Sequence, residues 1–77
     1  MIKLTNGNIA TCSSDKTVRI WNIINYSCIK VFHGHSGYVC ALFELPNNVL
    51  VSGSHDRSIK FWDLDTKMLK KTIKDPL

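Results

Sequence analysis

Long apolar runs are missing from this 77-residue chain. Nothing in it could supply the roughly 20 consecutive apolar residues that span a bilayer as a helix. Its opening, MIKLTNGN, lacks the apolar centre of a signal peptide. Cysteine is scarce: Cys12, Cys28 and Cys40 are odd in number and form no CxxC. Free thiols in a reducing compartment fit this pattern better than a disulfide framework. The expectation is an intracellular protein, cytoplasmic or nuclear, with no membrane partner. Low-complexity stretches are absent too, and an apolar fraction of 44% indicates a packed chain, not a disordered one. Its length allows one small domain at most, with a thermodynamically marginal core.

Acidic residues are outnumbered, six against ten basic ones, giving a formal net charge of +4. Such a balance suggests an acidic partner or nucleic acid. However, Lys67, Lys70, Lys71 and Lys74 crowd one late segment, and lysines on an outer strand are a common guard against edge-to-edge pairing. Nucleic acid is therefore the less expected partner.

What the chain does contain is a duplication. Residues 13–23 read SSDKTVRIWNI and residues 54–64 read SHDRSIKFWDL. Asp15 to Asp56 and Trp21 to Trp62 are both 41 residues, and the same offset matches Leu4 with Leu45, Asn6 with Asn47 and Lys30 with Lys71. Conservative pairs fill the gaps, among them Thr11/Ser52, Thr17/Ser58, Val18/Ile59 and Asn22/Asp63. A period of about 40–45 residues indicates a repeat architecture.

Each copy resolves into short segments rich in β-formers, separated by turn residues. The second copy gives YVCALFEL (38–45), VLVSGS (49–54), IKFWDL (59–64) and KMLKKTI (67–73). The first gives NIATCS (8–13), VRIWNI (18–23) and CIKVF (28–32), with only IKLT (2–5) in front. Connections this short exclude parallel crossovers, so the segments should form antiparallel meanders. Ile59 and Phe61 face one way, while Trp62 and Leu64 lie near or on the other face. A sheet apolar on both faces must be covered on both, which radial stacking of similar sheets achieves.

HGHSGYV (33–39), LVSGSHD (50–56) and IKFWDLD (59–65) resemble the WD-repeat family of β-propellers, named for its Gly-His and Trp-Asp dipeptides. ATCSSD (10–15) and VRIWN (18–22) resemble it as well, with Asn22 in place of the usual Asp. The resemblance implies an all-β fold of two four-stranded antiparallel blades, about residues 1–33 and 36–77, the first with a truncated inner strand. It further implies a hydrogen-bonded tetrad of His35, Ser52, Asp56 and Trp62 in the second blade. Chemistry agrees with such a set: a buried indole N–H needs an acceptor, and a hydroxyl can accept it while donating onward to an imidazole that bonds the carboxylate. The first copy offers Thr11, Asp15 and Trp21, but its histidine would fall before Met1. Asp75 and Pro76 stand where another Gly-His would follow. Two blades cannot close a ring of about 4–8. The chain is thus expected to be a piece of a larger protein, or a subunit whose copies complete a ring of six or eight blades.

A Ser, His and Asp together could be read as a catalytic triad, but no nucleophile-elbow sequence is present. His33, His35 and Cys40 could be read as metal ligands, but no spacing matches a zinc pattern, and Cys40 reads more simply as a small apolar side chain. No enzyme activity, metal or cofactor is expected. The resemblance places partner contacts on the end carrying the second-to-third-strand turns, at Tyr38, Cys40, His55 and Ser14. It implies a scaffold or adaptor that binds peptide segments of other proteins. The alternatives are a substrate-recognition element of a ubiquitin ligase or other complex, and acidic-surface or nucleic-acid binding through Lys67–Lys74. The segments WNII and WDLD lack the arginine of the WDxR motif used by some ligase-adaptor binders.

Overall fold

The computed structural model of the protein describes residues 1–74, so the departure at Asp75 and Pro76 lies outside the described residues. The architecture is all-β, with eight strands: β1 Ile2–Lys3, β2 Ile9–Cys12, β3 Val18–Asn22, β4 Ser27–Phe32, β5 Val39–Leu45, β6 Val49–Ser54, β7 Ser58–Asp63 and β8 Met68–Lys74. They form two four-stranded antiparallel sheets, β1-β2-β3-β4 and β5-β6-β7-β8, in which every strand pairs with its neighbour in sequence. Among the described residues there is no helix, hence none long and apolar enough to cross a membrane.

The 41-residue offset extends to the backbone. Positive φ values recur at Gly7 and Asn48, at Lys16 and Arg57, and at Tyr26 and Lys67. A register shift at Ile20/Trp21 recurs at Phe61/Trp62. The turns hold their shape by side-chain acceptance of backbone amides, the Asx-turn device. Asp63 Oδ1 accepts the amides of Asp65 at 2.8 Å and Thr66 at 3.1 Å, and Asn22 Oδ1 accepts those of Ile24 at 2.8 Å and Asn25 at 3.4 Å. The neutral Asn22 therefore does the work of Asp63, because each turn needs a carbonyl-type acceptor and not a charge. At Asp63, the Thr66 and Asp65 amides hold the carboxyl below its usual range.

One face of each sheet packs against the other. Ala10, Val18, Ile20 and Phe32 of the first sheet meet Leu42, Leu50 and Trp62 of the second, with Leu4 and Val39 completing the core. The Phe32 and Trp62 rings stack with centroids 4.5 Å apart. Strand alternation then turns Ile9, Thr11 and Trp21 outward on the first sheet, and Phe43, Val51, Ile59 and Phe61 outward on the second. A polar clamp joins the sheets at one end: the Thr5 amide and hydroxyl donate to the two Glu44 carboxylate oxygens at 2.9 and 2.8 Å.

Candidate functional site

The segment linking the sheets, residues 33–38, crosses the β6–β7 turn and drops His35 into the interior at 7% exposure. Gly37 permits the crossing, since a Cβ there would meet the Asp56 amide nitrogen at 2.8 Å. His35 Nε2 lies 2.7 Å from Ser52 Oγ, which also accepts the Trp62 indole N–H at 2.8 Å. On the other side of the ring, Nδ1 lies 3.0 Å from Asp56 Oδ2. Those distances assign the proton on Nδ1 to the carboxylate and leave Nε2 to accept the Ser52 hydroxyl. Both imidazole nitrogens are thus occupied, leaving no lone pair for a metal.

Asp56 gathers more donors than these. The Ser36 amide donates to Oδ2 at 2.9 Å, the Ser58 amide to Oδ1 at 2.8 Å, and the Ser58 hydroxyl to the same Oδ1. Burial works against the charged form, but the Ser58 hydroxyl, the Ser36 amide, His35 and the Ser58 amide outweigh it and hold the carboxyl far below its ordinary value. Ser58 was not among the residues expected from the sequence. Its signal was the Asp-X-Ser/Thr spacing of Asp56/Ser58, repeated as Asp15/Thr17.

Thr11 and Trp21 meet in the first sheet, where the indole N–H donates to Thr11 Oγ1 at 2.9 Å. Asp15 instead serves its own turn. It accepts the Thr17 hydroxyl at 2.5 Å and amide at 3.1 Å, and pairs with Arg19 at 3.3 Å. The Thr17 hydroxyl is the main cause of a carboxyl lowered to about 2; desolvation opposes it, and Arg19 and the Thr17 amide reinforce it.

At the end of the sheets carrying the β6–β7 turn, Tyr38 and His55 stand side by side, ring centroids 5.7 Å apart. The His55 amide donates to the Tyr38 carbonyl at 2.9 Å, while Tyr38 as a residue remains 56% exposed. Cys40 is exposed but lies at a bulge between Val39 and Ala41. There its thiol contacts the Gly53 carbonyl at 3.5 Å and borders the outward face of the second sheet, with Ile59 and Ile73. Ser14 is exposed in the β2–β3 turn. Tyr38 and His55 are in contact; nothing links Cys40 or Ser14 to them among the described contacts.

Residues 4–22 and 26–63 match the family model described as WD domain, G-beta repeat. The F-box and WD repeat domain containing protein 10B of Homo sapiens is 41% identical over 66 residues, covering 83% of this chain and 9% of that protein. Nuclear distribution protein nudF 1 of Talaromyces marneffei is 39% identical over 67 residues, covering 84% of this chain and 15% of that protein. A solved structure of U3-55K superposes with a TM-score of 0.83 at 29% identity, covering 92% of this chain and 22% of that one. The chain thus spans less than a quarter of each protein it is compared with here.

Proposed function

The chain belongs to the WD-repeat family, whose β-propellers act as protein-interaction scaffolds, and from that premise we propose that it is a non-enzymatic adaptor binding peptide segments of other proteins through the end that carries Tyr38 and His55. The observation that carries this reading is the Tyr38–His55 pair, two rings in contact on a hydrogen-bonded backbone, with Tyr38 56% exposed as a residue. Rigid amphipathic rings are favoured anchors at interfaces because little conformational entropy is lost on contact. His35, Ser52, Asp56 and Trp62 are read as a structural tetrad. Ser52 is fully buried and already accepts an indole N–H, which supports a packing role over a nucleophilic one. Three free cysteines support an intracellular setting.

Selection from a displayed library of random peptides tests the proposal. Tyr38→Ala should weaken the selected peptides at least about tenfold, while Thr66→Ala, on the β7–β8 turn at the opposite end, should leave them bound. Equal binding by both variants would rule the site out. The F-box-bearing relative favours a narrower second reading, substrate recognition within a ubiquitin-ligase complex. The lysines of β8 lie along an exposed outer strand, which supports edge protection over nucleic-acid contact; a steep salt dependence of binding would reverse that preference.

A further inference from the structure

The two sheets of this chain meet through a junction whose residues can be shifted by 41 positions and compared with what each sheet leaves uncovered. On the first sheet's side, Ile2, Leu4, Ala10, Val18, Ile20 and Phe32 pack toward the second sheet. Their images are Phe43, Leu45, Val51, Ile59, Phe61 and Ile73, all apolar, on the outward face of the second sheet. Of these, Phe43 is 63% exposed, with Leu45, Ile59 and Ile73 between 41% and 47%. The complementary side is built from Leu50, Ser52, Trp62 and Leu64. Its images are Ile9, Thr11, Trp21 and Ile23, on the outward face of the first sheet, where they line an open apolar hollow of about 510 Å³.

From this we infer that the outward face of the second sheet docks onto the outward face of the first sheet of a second copy of this chain, head to tail. Each free face has the composition of one side of a junction that the chain already forms, and the face that fits it stands on the opposite side of the same molecule. In the internal junction Phe32 stacks on Trp62; between copies Ile73 takes the place of Phe32 and lies against Trp21. Apolar patches of several hundred Å² are uncommon on monomers, and a self-complementary pair of them is a heterologous interface, which propagates until rotation closes the ring. One polar contact does not carry over. The images of Thr5 and Glu44 are Pro46 and Lys3, so the junction between copies lacks the clamp and rests on apolar surface, making it weakly sensitive to salt.

Native mass spectrometry of the full chain should give a whole-number multiple of 8.7 kDa; a folded monomer across the concentration range would overturn the inference. Direction is tested with one block per face. Ile59→Lys disables the second-sheet face and Ile9→Lys the first-sheet face, so neither variant should associate alone. Mixed, each still offers the face that the other needs, and a 1:1 dimer should form. If a blocked chain is unfolded by itself, mixing should restore its β-sheet circular dichroism. Mixtures that yield neither a dimer nor recovered structure would sink the proposal.

Discussion

Two aspartates 41 residues apart make different bonds, and the difference has a measurable size. Asp56 holds a buried imidazole and a hydroxyl as well as two backbone amides, whereas Asp15 bonds an exposed turn and Arg19. Asp56→Ala removes the carboxylate from the His35 N–H and leaves it only the Ser58 hydroxyl, 3.2 Å from Nδ1; loss of a partner in a buried polar network costs about 1–3 kcal/mol. Asp15→Ala should cost clearly less, and urea midpoints of the two variants measure the gap. Acidity adds a second readout. The folded Asp56 carboxyl titrates below the ordinary value of 3.8, so its contribution is fully present above that value and fades as pH falls through it toward the lower folded one. Acid unfolding of the parent should therefore steepen below about pH 4, and Asp56→Asn should flatten it. What was legible here came through the family resemblance, which implied the set His35, Ser52, Asp56 and Trp62; chemistry only agreed, since a buried indole, hydroxyl and imidazole each need a partner. Ser58 escaped because a serine after a turn aspartate looks like an ordinary turn residue; only the crossing of residues 33–38 over that turn brings His35 to it.

Turns and strands were the most readable level, because apolar alternation and turn residues repeat at one offset. β6 spans the expected 49–54; β3 and β7 each end one residue early, where Asn22 and Asp63 capture the amides that follow, and the remaining strands apart from β1 move by one residue at their ends. β1 shrinks to Ile2–Lys3 because the Leu4–Asn8 turn closes early, with the Leu4 amide donating to the Asn8 carbonyl at 2.8 Å. The requirement at Gly37 was not legible, since it depends on the approach of one turn to another. Gly37→Ala places a methyl 2.8 Å from backbone nitrogen, and backbone gives less readily than a side-chain tip. A loss of about 1–3 kcal/mol is expected, read as a lower urea midpoint with an unchanged slope.

For the molecule as a whole, the stacking of sheets followed from apolar residues on both faces, but the clamp between Thr5 and Glu44 did not, because neither residue has a like counterpart 41 positions away. Glu44→Ala removes two charge-assisted bonds at an exposed junction, and about 1–2 kcal/mol should be lost. Glu44→Gln keeps one acceptor oxygen and should recover part of it in the same denaturation assay. The strictly sequential strand order has a consequence in time. Each hairpin closes a loop of only a few residues, so its entropic barrier is small and each sheet can zip independently. Contacts between sheets, such as Phe32 with Trp62 and Thr5 with Glu44, join residues about 30–40 apart and form only after both partners exist. Docking is then the late event, and truncating the stacked ring with Phe32→Ala should speed unfolding several-fold while scarcely slowing refolding.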